Sequence, residues 1–254
     1  MRRTIAQLLR RLADQLQPQP TTSLVVAERP AEPTLLDRLY ASLQKLDFQP
    51  QHIVDVGANR GHWTQKTLEY FPNAYYTLLE PQPQMRAAMQ ELLDSNSRIS
   101  LHSVGAAANN GELAFTITSR DDSCTFCLSE LEASKFGWQQ VSVPVVRLDD
   151  LLRSQDRPAP TMIKIDAEGC DLEVLQGARE SLKACEVLFV EAAIMCKMFR
   201  NDLRSVVNAA HELGFKPLEF ADLNRTQKHG SLWLTEVVFT RVGGQIDVAV
   251  DSYI

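Results

Sequence analysis

The sequence predicts an α/β fold built on a mostly parallel sheet, and three observations predict it. From residue 51 onward, short apolar runs of strand length alternate with longer amphipathic stretches, the pattern of strands joined by crossover helices. The first run, Ile53-Val54-Asp55-Val56, ends in the glycine-bearing turn Gly57-Ala58-Asn59-Arg60-Gly61 and leads into an amphipathic stretch from His62 to Tyr70. A buried strand feeding a tight turn and a helix N-terminus is where such folds bring backbone amides close to a cofactor. Finally, 254 residues are enough for one large α/β domain with its own core.

Ahead of that domain, Ile5, Leu8, Leu9, Leu12 and Leu16 recur at helical spacing with arginines on the other face, so residues 1–17 read as a basic amphipathic helix. Two readings of this helix stand open: docking on its own domain or on a second subunit, and peripheral contact with an anionic membrane surface. Gln7, Arg10 and Arg11 interrupt the apolar stretch, which argues against a signal peptide or a membrane span. Pro18, Pro20, Pro30 and Pro33 among polar residues make 18–33 a linker. The main domain is then 34–254.

Within it, Thr34 caps a helix reaching about residue 46, and the chain turns near Pro50 into a strand over 53–56. A helix over 62–70, a strand over 75–79 ending at Glu80, a helix over 84–93 and a strand over 99–104 follow. Residues 111–118 and 141–146 instead alternate like half-exposed antiparallel strands around a polar, cysteine-bearing loop, an inserted hairpin spanning about 111–146. Parallel order resumes with a strand over 162–166, a helix over 171–182 and a strand over 187–190 ending at Glu191. A helix over 203–213 and a final hairpin of strands 216–220 and 232–240 complete the chain.

Bulk properties narrow the function. A net charge of −6 argues against a phosphate-backbone binder, so nucleic acid is not the expected partner. Five scattered cysteines, an odd number, are unlike a secreted disulfide framework and fit a reducing cytoplasm.

Ligands of open parallel sheets bind beyond the carboxyl ends of the strands. That rule selects Asp55, Gly57, Asn59 and Gly61 in the first turn, Glu80 with Pro81 after the second strand, and Ser103 and Val104 after the third. It also selects Asp166 to Gly169, and Glu191. Glu80 is placed to accept both hydroxyls of an adenosine ribose, and Pro81 and Gln82 to flank an adenine ring. The Asp-x-Gly-x-Asn-x-Gly spacing, in place of Gly-x-Gly-x-x-Gly, points away from nicotinamide and toward S-adenosylmethionine as cofactor.

The segments Asp55-Val56-Gly57-Ala58-Asn59-Arg60-Gly61, Leu79-Glu80-Pro81, Val143 to Leu152 and Ile163-Lys164-Ile165-Asp166-Ala167-Glu168-Gly169 resemble the successive signatures of the FkbM family of S-adenosylmethionine-dependent methyltransferases. The likeness continues through Glu173 to Ala178 and covers roughly residues 51 to 192. It implies a class I methyltransferase (Rossmann-like) sheet of seven strands, mostly parallel, with the final strand antiparallel. It also implies O-methylation of a hydroxyl on a sugar, glycan or small natural product, with the active site near Asp166 and Glu168.

Moving a methyl group to an alcohol needs in-line positioning and a base within hydrogen-bond reach. Asp166 is the first candidate for base or acceptor orienter and Glu168 the second. The alternative is that Asp166 holds the methionine amine while Glu168 favours the next helix dipole. Lys164 shares a strand face with Asp166 inside an apolar strand, so it needs a partner, Glu191 or Asp166 itself. An ion pair that shapes the pocket and a catalytic amine are both readings of it, and Glu191 could also face the acceptor. His62 and His102 lie at strand-end turns near the cofactor, and Asn224, Arg225 and His229 in the last hairpin are candidate acceptor contacts. Cys124 and Cys127 have the spacing of half a zinc site without a second half, and no metal ligands are assigned. The family resemblance instead implies a small-residue loop over the pocket here, which Ser123 and Thr125 fit and the cysteines depart from, and Asp149 and Asp150 read as a helix cap. Two other classes remain in view, a nucleotide-cofactor oxidoreductase and a non-catalytic cofactor-binding scaffold. The sequence names neither the particular acceptor nor an oligomeric state.

Overall fold

Local chemistry accounts for most element boundaries in the computed structural model, which describes residues 32–250. The helix expected over 1–17 and nearly all of the linker expected over 18–33 lie outside the described residues. Helix α1 (Leu35–Lys45) starts with a reciprocal cap: the Asp37 amide donates to Thr34 Oγ1 at 3.1 Å and the Thr34 amide donates to Asp37 Oδ2 at 2.9 Å. Strand β1 (His52–Val56), helix α2 (His62–Tyr70) and strand β2 (Tyr75–Leu79) follow as expected. The single helix expected over 84–93 is two, α3 (Met85–Ala88) and α4 (Gln90–Ser95), because Met89 takes a non-helical φ of −96° and ψ of 3° between them. Strand β3 (Ile99–His102) stops short of residue 104, and the chain leaves the main sheet for β4 (Gly105–Ala106).

The insertion holds β5 (Gly111–Ile117), α5 (Glu130–Lys135) and β6 (Gln139–Val146). Strands β5 and β6 pair antiparallel as expected, and β4 adds to β6 in parallel, so the hairpin is part of a three-stranded sheet. Helix α6 (Leu148–Arg153), strand β7 (Met162–Ile165) and helix α7 (Asp171–Gly177) come next. The remainder of the helix expected to residue 182 is a separate 3-10 turn, Ser181–Ala184. Asp149, read from the sequence as a cap for its own helix, accepts from the Glu180 amide at 3.1 Å and the Ser181 amide at 2.8 Å and so caps this turn. Strand β8 (Val187–Ala193) runs three residues beyond the expected strand, so Glu191 lies inside it and not at its end. Helix α8 (Leu203–Glu212), strands β9 (Phe215–Arg225) and β10 (Leu232–Arg241), and helix α9 (Gln245–Ala249), which the sequence reading did not anticipate, complete the domain.

The main sheet has the order β3-β2-β1-β7-β8-β10-β9. All neighbouring pairs up to β8 are parallel, and β10 runs antiparallel between β8 and β9. Strands covered on both faces need near-continuous apolar runs, and alternate residues of β1 serve opposite cores. Ile53 packs with Tyr40, Phe71 and Met89 of one helical layer, while Val54 and Val56 pack with Leu148, Val174 and Val206 of the other. No helix among the described residues is long and apolar enough to cross a membrane. This three-layer class I arrangement brings the carboxyl ends of β1, β2 and β7 together, which positions the site.

Candidate active site

Two cavities open at that edge. The first is lined by the turn after β1, by Glu80, Pro81 and Gln82 after β2, by Val104, and by Asp166 to Glu168 after β7. Each Glu80 carboxylate oxygen accepts one backbone amide, Asn59 N at 2.8 Å and Gln82 N at 2.9 Å. A carboxylate has about four lone-pair sites, so one per oxygen stays free for a ribose hydroxyl. Burial pushes the Glu80 carboxyl above its ordinary range and the two amides oppose that shift. Leu79, Val104 and Phe126 supply apolar walls suited to an adenine ring. Asn59 holds the left-handed backbone, φ 47°, that its short side chain tolerates. Asp166 also lines this space, and its buried Oδ1 has no hydrogen-bond partner, so the residues present fit S-adenosylmethionine.

Part of the wall was missed by the sequence reading. The insertion contributes Asp121, Asp122, Cys124 and Phe126 to this cavity, so it closes over the cofactor space more than over the acceptor. It is pinned there by its Asp121 carbonyl, which accepts from Asn59 Nδ2 at 3.0 Å and Gln82 Nε2 at 2.9 Å, and by an Arg60–Asp121 ion pair. Thr125, read as part of a loop over the pocket, donates to the Glu168 carbonyl at 2.6 Å. Asp171, also missed, is fully buried and accepts from the Ala167 and Gly169 amides at 2.9 and 3.2 Å, holding the loop after β7.

The second cavity, about 540 Å³, lies within the size range of small-ligand sites. Gly57, Asn59, Asp122 and Asp166 line both spaces, so the two meet at the Asp166 carboxylate. Lys164 is buried beside it, donating to Asp166 Oδ2 at 3.0 Å and lying 3.6 Å from Asp55 Oδ1. Of the two partners proposed from the sequence, Asp166 makes the contact, and Glu191 forms no ion pair with Lys164. Burial pulls the Lys164 ammonium down, but Asp166 and Asp55 more than offset it and hold it above the ordinary lysine value. Glu168 is pushed up to about 9, first by burial and then by the Asp166 charge, so it keeps its proton at neutral pH. Glu191 and Glu236 also line this cleft, and Glu236 carried a signal the sequence reading passed over. It is a lone acid in an apolar strand, the pattern that singled out Lys164.

Several expected contacts fall elsewhere. Asp55 lines neither cavity; it accepts from Thr64 Oγ1 at 2.6 Å and lies beside Lys164 on the neighbouring strand, because alternation along β1 points it to the face covered by α2. Gly61 also lies outside both, serving as the left-handed N-cap of α2. Ser103 is exposed and away from the cavities, since the chain leaves the sheet there. His62 lines the larger cleft, whereas His102 faces Gln155 and lines neither. In the last hairpin Asn224 reaches the cleft; His229 is exposed, and Arg225 folds back onto the Gly230 carbonyl at 2.9 Å.

The family model described as the methyltransferase FkbM domain matches residues 55–217. The chain belongs to this family. It is a methyltransferase whose methyl donor is S-adenosylmethionine, as its cofactor cavity fits. A curated relative, the 2-O-methyltransferase NoeI of Sinorhizobium fredii (strain NBRC 101917 / NGR234), is 26% identical over 199 residues, 74% of this chain and 76% of that protein. Similar solved structures include the N-methyltransferase NodS from Bradyrhizobium japonicum WM9, 11% identical with a TM-score of 0.47 over 80% of this chain and 94% of that one. A precorrin-6y C5,15-methyltransferase from Geobacter metallireducens GS-15 is 14% identical, with a TM-score of 0.47 over 84% of this chain and 92% of that one.

In this family member Glu80→Ala is expected to weaken S-adenosylhomocysteine binding by about 100-fold, as two hydrogen bonds to a charged group are lost. Calorimetry on the folded variant checks it, and a change under threefold contradicts the ribose assignment. The cysteines also separate from the half-site reading. Cys124 faces the cofactor cavity, while Cys127 Sγ lies 3.0 Å from Cys170 Sγ. A mild disulfide oxidant is therefore expected to join Cys127 to Cys170, taking up their two electrons and two protons. Peptide mapping reads the result, and a protein that instead links other cysteines would contradict the contact.

Proposed function

We propose that the chain methylates a hydroxyl of a sugar, glycan or small natural product in the larger cleft. The observation that carries this reading is the meeting of the two cavities at Asp166, whose Oδ1 is buried without a partner. The NoeI relative is a 2-O-methyltransferase, which supports the choice of oxygen. When bound, S-adenosylmethionine supplies a methyl group already activated on sulfur. The chain's own task is then to place the hydroxyl in line and to take its proton as the bond forms. Asp166 is the group for that proton, because it lies where the two cavities meet and Lys164 holds it in place at 3.0 Å, while Glu168 already carries a proton. Lys164 acts through Asp166 and is a positioning residue in this reading.

The test is labelled-methyl transfer to glycan and small-molecule extracts, with Asp166→Asn beside the natural chain. Loss of transfer by about 100-fold or more with S-adenosylhomocysteine binding intact is the expected result. A variant that loses cofactor affinity and transfer together would instead assign Asp166 to the methionine amine. Transfer to nitrogen or carbon alone would overturn the oxygen reading.

A further inference from the structure

The strand register sets four carboxylates abreast across the acceptor cleft. Glu191 of β8 pairs with Glu236 of β10, and Glu236 pairs with Asp222 of β9. On the other side Ile165 pairs with Val190, so Asp166 and Glu191 are the next residues along that ladder. All four side chains line the same cleft. Directly opposed cross-strand side chains stand only about 5 Å apart at Cβ, and like charges there are destabilising.

Among the cations of the cleft only Lys164 pairs with a member of the row, Asp166. Arg60 is paired with Asp121, Lys66 lies 2.6 Å from Asp37 and 2.7 Å from Glu69, and Lys164 is taken by Asp166 and Asp55. Neither Glu191 nor Glu236 forms an ion pair among the described residues, and Glu191 Oε2 is buried with no hydrogen-bond partner. Burial, with the neighbouring carboxylates, pushes both carboxyls up, Glu236 to about 8, and the Lys164 charge opposes both shifts only in part. A protonated amine within hydrogen-bond reach would favour their charged form. An anionic acceptor would find no free lysine or arginine here among the described residues, and would face the row itself.

We propose that Glu191 and Glu236 form a subsite for a protonated amine carried by the acceptor. The assignment rests on the reading of the larger cleft as the acceptor site, and it gives the substrate class a charge. The hydroxyl to be methylated is held at Asp166 while the amine lies one and two strands further along the row. Glu191 is thereby a binding residue and not a second base.

The experiment uses the full chain loaded with S-adenosylhomocysteine and three matched monosaccharides, glucosamine, N-acetylglucosamine and glucuronic acid, with binding read by saturation-transfer NMR and competition. Glucosamine is expected to bind at least about tenfold more tightly than N-acetylglucosamine, the worth of one charged hydrogen-bonded pair, and glucuronic acid not at all. The near-isosteric double variant Glu191→Gln/Glu236→Gln should keep its affinity for S-adenosylhomocysteine, which establishes that it folds, and lose the amine preference. Equal binding of the three sugars, binding of none, preference for glucuronic acid, or an amine preference that survives in the double variant would each overturn the subsite. Labelled-methyl transfer on the same sugars separates this result from the oxygen reading. An amine preference without methylated oxygen sinks only the latter, and methylated oxygen without an amine preference sinks only the subsite.

Discussion

Gly57→Ala is expected to cost about 3 to 5 kcal/mol of stability and to abolish cofactor binding, adding overpacking against backbone to left-handed strain. Gly57 has φ 79°, and a Cβ there would stand 1.9 Å from the Asp166 carbonyl oxygen and 3.0 Å from its carbon. No side chain can swing aside, because the obstacle is backbone that is itself fixed: the Asp166 amide donates to the Val56 carbonyl at 3.1 Å. Relief requires prying β1 from β7, and that displaces both Asp166 and the turn that faces Glu80. Gly137 is the control. It has φ 70° but no atom within 4 Å of its Cβ position, so Gly137→Ala should cost only about 1 kcal/mol. Chemical denaturation and cofactor calorimetry on both variants read the contrast, and similar costs at the two positions would contradict the close approach.

Lys164→Met is expected to destabilise the domain by about 3 to 5 kcal/mol, because removing one partner of a buried ion pair leaves uncompensated charge. The ammonium is the counter-charge for Asp166 and for Asp55, whose Oδ1 has no hydrogen-bond partner. Methionine fills the space but answers neither carboxylate. Adding Asp55→Asn removes the deeper orphaned charge, so the double variant should recover part of the loss in denaturant melts. A single variant within 1 kcal/mol of the natural chain, judged against that ~3 kcal/mol floor, would contradict the role. The pH dependence has a defined sign. The folded lysine pKa is raised above the unfolded value, so its contribution is fully present below about pH 10.4 and fades only as pH climbs beyond it. No loss from this group is expected between neutral and mildly alkaline pH.

Elements set by contiguous residues were legible before the structure. The α2 span from His62 to Tyr70 and the β2 span from Tyr75 to Leu79 follow directly from local periodicity, and the α1 start follows from the Thr34 cap. Elements that depend on distant partners were not. The break at Met89, the early end of α7 and the extension of β8 through Ala193 depend on what each segment packs or pairs against. The same division runs through the site. Glu80 and Gly57, expected at the cofactor, line the first cavity, and each sits at a strand end with a recognisable neighbour. Asp55, expected there too, lines neither cavity, because a motif reports which residues occur together and not which way each side chain points.

Sequence alone determined the family, the alternating α/β plan and the methyl donor, since these are carried by short contiguous motifs and by periodicity within single elements. Tertiary structure decided what the motifs are used for. It set Asp55 beside Lys164 and outside both cavities, brought Asp121 and Asp122 from the insertion over the cofactor cavity, and set Glu191 beside Glu236. The physical reason is that strand register is a long-range property. Glu191 and Glu236 are separated by a helix and a strand in the chain, and only backbone pairing of β8 with β10 places their two carboxyls on one wall.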